Sequence, residues 1–151
     1  MKGWGSGVAG CLVGLLAAAG PGFAAEGPED AAQAAVESWL AGVDAGDYAG
    51  SWERAGRLLK ASVKQEEWSE AAAATRAPLG AVVSRALKSR EATEKPPTTR
   101  TIGGRVYTWA SGRYVVVRYD TAFTNKAAAV ETVVAAAEPD GAWRVSGYSI
   151  Q

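Results

Sequence analysis

The sequence has no histidine and only one cysteine among its 151 residues. Without histidine it cannot build a Ser-His-Asp or Cys-His nucleophile system or an imidazole metal site. It also has no side chain whose ordinary pKa lies between pH 5 and 8. No Walker loop, G-x-S-x-G or Ser-x-x-Lys motif follows the first 24 residues. We therefore expect no cofactor and no metal, and the commonest hydrolase and metalloenzyme mechanisms are excluded.

The chain also lacks an excess of charge of either sign. Sixteen Lys and Arg residues balance sixteen Asp and Glu residues, so the formal net charge is zero. Proteins that bind nucleic acid need a basic surface to neutralise phosphates. These basic residues are spread evenly, so nucleic acid is not an expected partner.

The first 24 residues have the pattern of a secretory signal peptide. Lys2 gives a positive start, an apolar run follows from Val8 to Ala19, and Gly22-Phe23-Ala24 supplies small residues for cleavage. The run is shorter than the roughly 20 residues that a membrane-spanning helix needs. We predict a signal peptide over 1–24 and one exported domain over 25–151, periplasmic or secreted, with no membrane attachment after cleavage.

Lipoprotein anchoring is the alternative at this end of the chain. Val8-Ala9-Gly10-Cys11 is similar to a lipobox, in which the cysteine is acylated. Most of the apolar run follows Cys11, whereas in a lipoprotein it precedes the cysteine. Cleavage after Ala24 would leave a domain without cysteine. Such a domain has no disulfide, so its stability must come from its apolar core.

Three amphipathic helices are predicted between about residues 29 and 77. Asp44 to Asp47 closes the first helix, and Asp47 can cap the second, which runs from Tyr48 to Leu59. A capping box at Ser62 predicts the start of the third helix, which ends before Pro78. The apolar stripe of the first helix has the spacing of one helical face and comprises Ala32, Ala35, Val36, Trp39, Leu40 and Val43.

The residue pattern of the second half of the chain predicts strands. Residues 81–91 favour a strand, although Leu79, Val82 and Leu87 also suit a helix. A proline-rich loop follows, so the conformation of 92–112 stays open apart from a short strand at 106–109. Three runs rich in Val, Tyr and Thr form the end of the chain: Arg113–Phe123, Ala127–Glu138 and Ala142–Ile150. We predict an α+β domain with the helices on one face of an antiparallel meander of about four strands.

Strand register follows from the turns. If Asn125-Lys126 is a two-residue loop, Val117 faces Val134. The face toward the helices then comprises Val115, Val117, Tyr119, Phe123, Val130, Val134, Trp143 and Val145. The outer face comprises Tyr114, Val116, Arg118, Glu131, Val133, Arg144, Tyr148 and Ile150, with Arg118 and Glu131 as a surface ion pair. Such an apolar outer face suggests a partner, and we predict a homodimer interface at Tyr114, Val116, Tyr148 and Ile150.

Several sequence segments resemble one family of small exported bacterial proteins. They are Trp39-Leu40 with Val43 to Ala49, Arg76 to Gly80, Tyr114 to Tyr119, Phe123 to Lys126 and Asp140 to Tyr148. Together they are similar to domain-of-unknown-function family 4019. The resemblance implies no known activity. By analogy the element order is also similar to cystatin-like and nuclear-transport-factor-like folds, which include pocket enzymes and many binding or dimerisation modules.

Three tryptophans are candidate ligand-binding residues. Trp39, Trp52 and Trp68 lie on the apolar stripes of successive helices and could line a pocket for a planar or sugar-like ligand. The alternative is that they form the core, since each buries roughly 150–250 Å².

Arg85 is the fourth candidate. As part of a strand it points inward with Val83 and Leu87, and a buried guanidinium needs an acceptor. That acceptor is either a helix-capping carboxylate, Asp44 or Asp47, or an anionic ligand.

Two functional classes are compatible with this pattern. The first is a non-enzymatic exported module that binds a small ligand or a protein, with possible homodimerisation. The second is a small pocket enzyme of the isomerase or dehydratase type, which would use a carboxylate or a tyrosine as acid or base. Such an enzyme needs a free carboxylate inside an apolar cavity.

Overall fold

A computed structural model describes residues 27–96, 100–102 and 105–151. The predicted signal peptide, with Cys11, lies outside the described residues. In the described ranges, no helix is both long enough and apolar enough to cross a membrane.

The first helix forms where the apolar stripe predicts it. α1 spans Pro28–Asp44, begins with proline in its first turn, and buries Ala32, Val36, Trp39, Leu40 and Val43. Gly46 takes a positive φ of 77° after the helix ends. The Asp47 carboxylate then accepts a 3.0 Å hydrogen bond from the Gly50 N–H and caps the next helix, as expected.

The second predicted helix is two helices. α2 spans Tyr48–Glu53 and α3 spans Arg57–Ser62. The break spans residues 54–56, and the Gly56 N–H donates to the Val145 carbonyl at 2.7 Å. A Cβ at Gly56 would lie 3.3 Å from that carbonyl oxygen, so this close approach to the strand favours glycine at the start of α3.

The capping box predicted at Ser62 is wrong. Ser62 is the last residue of α3, and its hydroxyl donates to the Leu58 carbonyl. α4 spans Gln65–Arg76, and the Glu67 carboxylate accepts from the Lys64 N–H at the helix start. A 3-10 turn at Ala77–Leu79 follows, where Pro78 prevents the helix from continuing.

The remaining elements are strands, and the α+β class is confirmed. The bounds are β1 Val82–Thr93, β2 Arg100–Ile102, β3 Arg105–Tyr107, β4 Tyr114–Phe123, β5 Lys126–Ala137 and β6 Trp143–Ile150. The strand predicted at 81–91 is confirmed as β1. The sheet order is β1-β4-β5-β6, all antiparallel, and β2 and β3 form a separate two-stranded antiparallel sheet.

The predicted β4–β5 register is wrong by one residue. Val117 faces Val133, not Val134. The turn lies one residue earlier than expected, because Phe123 pairs with Lys126, and the register shifts again between Thr121 and Phe123. The earlier turn by itself leaves the predicted faces of β5 unchanged. The extra residue in β4 then moves every β5 side chain to the opposite face of the sheet.

This reversal changes which β5 and β6 residues meet the helices. Val133 and Ala135 enter the main core, whereas Val130 and Val134 do not, contrary to prediction. The predicted surface pair of Arg118 and Glu131 is also wrong, because Glu131 is fully buried. On β4 and at the start of β6 the prediction was correct, since Val115, Val117, Tyr119 and Val145 form the core with Trp143 packed against it.

Candidate functional site

A cluster of charges, two of them buried and two partly exposed, lies between the helices and the sheet. It contains Asp44, Arg76, Arg85 and Glu131, joined by the hydroxyl groups of Thr121 and Tyr148. We call these six residues the Glu131 cluster. Asp44 ends α1 and Arg76 ends α4, so two helix ends meet the sheet at this point.

Glu131 has its acceptor sites filled. Its Oε1 accepts from Arg76 at 3.1 Å, from Arg85 at 3.2 Å and from the Tyr148 hydroxyl at 2.6 Å. Its Oε2 accepts from Arg85 Nε and from the Thr121 hydroxyl, both at 2.6 Å. An ionised carboxylate has about four acceptor positions, so no site is left for a substrate proton or a metal.

The two arginines share a second carboxylate. Arg85 donates to Asp44 from both terminal nitrogens, at 2.7 Å and 3.0 Å. Arg76 donates to Asp44 at 2.8 Å and lies over the Phe123 ring at 4.8 Å. Paired charges of this kind satisfy the requirement that buried ions be neutralised and hydrogen-bonded.

The pKa shifts favour the ionised form of both carboxylates. Burial by itself raises the pKa of Glu131, but hydrogen bonds from Arg85 and two hydroxyl groups outweigh it, and the pKa falls below its ordinary value. Burial also opposes ionisation of Asp44, but hydrogen bonds from Arg85 and Arg76 outweigh it and lower the pKa of Asp44. Burial, followed by the charge of Glu131, raises the pKa of Tyr148 well above its usual range. The cluster therefore holds carboxylates that stay charged and a phenol that stays protonated.

Arg85 lies in this cluster and has carboxylate partners. Of the two partners predicted, it pairs with Asp44, whereas Asp47 pairs with Arg54. Leu87 shares the helix-facing side of β1 but is 46% exposed at the sheet edge. Val83 is 67% exposed where the register shifts, so its predicted inward direction is wrong.

The tryptophans use their indole N–H groups inside the helical layer. Trp39 donates to the Ser51 carbonyl at 2.8 Å and Trp68 to the Ser51 hydroxyl at 2.9 Å. Trp52 donates to the Val63 carbonyl at 2.9 Å and is only partly buried. The Trp39 and Trp68 rings lie 5.9 Å apart in the core. Ligand binding by each of the three tryptophans stays a prediction.

The four predicted interface residues do not share one surface. Tyr148 lies on the core side, where its ring meets Trp39 edge-on, and Ile150 is paired with Glu131 on that side. Tyr114 and Val116 do face outward, but both are buried. Trp109 and Leu58 pack against them and cover this part of the outer face. Homodimerisation stays a prediction, but these four residues do not form the single interface that was predicted for it.

A second cavity is a cleft between α1 and β6. Its volume is about 290 Å³. Arg54, at the end of α2, enters it beside Gly42, where a Cβ would lie against the guanidinium. The cleft is lined by Ala35, Ser38, Trp39, Arg54, Trp143, Arg144 and Val145.

The sequence pattern did not identify Arg76, Glu131 or Tyr148 as members of one cluster. Arg76 is the basic residue of the last turn of α4, which by itself suggests only a favourable helix-end charge. The available signal was Glu131 inside a run of small and apolar residues, since a lone acid there needs a partner when buried.

Metal binding by these carboxylates has no structural support. Among the described residues, no group of three or more Asp, Glu, Cys or His side chains could hold a metal ion. Asp44 and Glu131 instead face arginines, which supply the positive charge that a metal would provide.

Comparison with known proteins gives one match. The sequence profile of a protein family of unknown function, DUF4019, matches residues 35–148. No curated protein and no solved structure matches the chain. The matched region begins within α1 and ends within β6, and it includes every member of the Glu131 cluster. The chain therefore belongs to domain-of-unknown-function family 4019.

Proposed function

We propose that this chain is an exported, non-enzymatic binding module. The observation that carries the proposal is the saturation of Glu131, the one fully buried carboxylate of the described residues. A general acid or base must be able to exchange a proton with a substrate within hydrogen-bond reach. Glu131 is held ionised by arginines and enclosed by hydroxyl groups, so it supports the fold and does not serve proton transfer.

The other candidates for acid–base chemistry are no better placed. Tyr148 donates to Glu131 and accepts from Arg76, so its hydroxyl group is occupied on both sides. Asp120 lines an open cavity of about 520 Å³ on the outer face, but it is exposed and pairs with Lys88 at 2.7 Å. An exposed, paired carboxylate lacks the apolar enclosure that tunes a catalytic acid.

The α1–β6 cleft supports the binding part of the proposal. It combines indole surface with a guanidinium and a hydroxyl group, the mixture of apolar wall and few polar groups that ligand sites share. None of the six residues of the Glu131 cluster belongs to the lining of this cleft.

A ligand screen on the purified chain tests this function. Compounds of several chemical classes would be ranked by thermal shift, and each hit followed by NMR for consumption over time. We expect hits that stay chemically unchanged and that lose affinity in Ser38→Trp, which fills the cleft from an exposed position of α1. Ala74→Trp, at an exposed position of α4, is the matched control and should bind like the wild type.

Two outcomes would overturn the proposal. Turnover of a hit by the wild-type protein would make the chain an enzyme. Hits that bind equally to Ser38→Trp and to the wild type would remove the cleft as the site.

Export is tested separately by sequencing the N-terminus of the protein that accumulates in the producing bacterium. Cleavage after Ala24 would leave Ala25 as the first residue. An acylated Cys11 at the N-terminus would establish the lipoprotein alternative, and an intact Met1 would overturn export.

A further inference from the structure

We propose that the α1–β6 cleft binds a small planar organic anion, a conjugated ring that carries a carboxylate or a phosphate group. This inference rests on the proposed function and names the class of ligand. It comes from the pairing of aromatic walls with an accessible guanidinium in one cavity.

The aromatic wall comes from both sides of the cleft. Trp143 starts β6 and is partly buried against the core. Trp39 belongs to α1 and is 3% exposed, so it adds only a small area to the lining. Indole surfaces favour planar, polarisable groups through stacking and edge-to-face contacts.

The cationic part of the cleft is Arg54. Its guanidinium lies against α1 at Gly42, where an added Cβ would clash with Arg54 Nη2. Arg54 Nη1 donates one hydrogen bond of 3.2 Å to Asp47 Oδ2. A guanidinium has five N–H donors, so Arg54 can bind an oxyanion while it keeps Asp47. Ser38, on the same face of α1 one turn before Gly42, adds a hydroxyl donor.

The availability of Arg54 distinguishes it from the buried arginines. Arg76 and Arg85 each bind two carboxylates, and their side chains are 4% and 16% exposed. The Arg54 side chain is 49% exposed, and Asp47, its carboxylate partner within the described part of the chain, is itself half exposed. Solvent-exposed pairs of this kind are weak and exchange readily. Arg144, also in the lining, is similarly held by the exposed Asp140.

The size of the cleft limits the ligand. Its volume of about 290 Å³ is close to the lower end of the range for small-molecule sites, roughly 300–1,000 Å³. A single ring with one anionic substituent fits this space better than a lipid or a peptide.

Titration with four probes tests the ligand class. Benzoate and phenyl phosphate carry a ring and an anion, benzamide keeps the ring without the charge, and acetate keeps the charge without the ring. Binding is measured from the NMR shift of the Trp143 indole N–H. We expect benzoate or phenyl phosphate to bind at least tenfold more tightly than benzamide and acetate. The preferred anion identifies whether the natural group is a carboxylate or a phosphate.

Variants assign the binding to the cleft. Arg54→Gln and Trp143→Leu should each weaken the preferred probe by about tenfold or more, whereas Lys88→Gln removes a cation of β1 outside the cleft lining and should have no effect. Unchanged melting temperatures of the variants show that folding is intact. Should Trp143→Leu unfold, Ser38→Trp replaces it as the blocking variant.

The outcomes separate the ligand class from the function. Equal binding of benzamide and benzoate, an unaffected Arg54→Gln, or no saturable binding of either ring anion at millimolar concentration overturns this inference. If a neutral compound from the screen binds in the same cleft, the proposed binding function is retained although the ligand class is wrong. Consumption of any bound compound would instead overturn the proposed function.

Discussion

Arg85 on β1 and Glu131 on β5 lie on strands that both flank β4, and their side chains meet across it at 2.6 Å. Thr121 of β4, between them, donates its hydroxyl to the same carboxylate oxygen at 2.6 Å. The pair therefore connects three strands, and Asp44 and Arg76 extend it to two helices. A buried pair contributes little net stability relative to apolar residues, but removal of one member leaves an uncompensated charge.

Loss of Glu131 should strongly destabilise the domain. In Glu131→Ala two arginines lose a shared counter-ion in a buried site, and we expect the free energy of unfolding to fall by about 3–5 kcal/mol. Urea denaturation followed by tryptophan fluorescence measures this change. Glu91→Ala removes an exposed carboxylate of β1 and should change stability by no more than about 0.5 kcal/mol. Similar losses for both variants would contradict a structural role for the cluster.

Stability should depend on pH on the acid side. The pKa values of Asp44 and Glu131 are lower in the folded state than their ordinary values of 3.8 and 4.5. Their contribution is therefore complete above those ordinary values and is lost as the pH falls through the lowered ones. Urea denaturation between pH 7 and 3 should show a steady loss of stability below about pH 4.5. Asp44→Asn should reduce this slope, and an unchanged slope would show that Asp44 is not responsible.

Ser51 should be energetically coupled to Trp68. The Ser51 hydroxyl accepts the Trp68 indole N–H at 2.9 Å in a buried site, so Ser51→Ala leaves that donor unsatisfied. We expect a loss of about 1–3 kcal/mol in the free energy of unfolding. In Trp68→Phe the donor is absent, so the double variant should cost less than the sum of the two single variants.

Thr75→Ala is the control for this cycle, because its hydroxyl bonds to the Ala71 carbonyl on the exposed side of α4. It should change stability by no more than about 0.5 kcal/mol. Additive losses in the Ser51 and Trp68 cycle would show that the buried hydrogen bond is not an energetic link between α2 and α4.

Gly147 should be needed for Trp109 to pack over Tyr114 and Val116 on the outer face of the sheet. A Cβ there would be 2.7 Å from the Trp109 ring, so Gly147→Ala must displace that ring. We expect a loss of about 1–3 kcal/mol, together with a red shift of tryptophan emission as Trp109 becomes exposed. Ser149→Ala, two residues further along β6 and exposed, should show neither effect.

Loss of this cover also tests the outer face as an association surface. With Trp109 displaced, Tyr114 and Val116 would be exposed, and light scattering should show self-association of Gly147→Ala at concentrations where the wild type does not change. A variant that behaves like the wild type would show that these two residues do not promote association.

The local elements were predictable because each depends on nearby residues. The stripe from Ala32 to Val43 identifies α1, and the Val-, Tyr- and Thr-rich runs identify β4, β5 and β6. Asp47 was recognised as a cap and Asp44 as a partner for Arg85. The split at Gly56 was not predictable, because a contact with Val145 in β6 causes it.

The sequence by itself determined the α+β class, the order of helices and strands, and the inward direction of Arg85, because hydrophobic period and turn chemistry are local properties. Only the tertiary structure decided which face of β5 meets the helices. One extra residue in β4 near Ala122 moved Glu131 from the predicted surface to the core. Strand faces alternate with a period of two, so a single register shift exchanges them. That shift made the predicted surface acid the centre of the buried charge cluster.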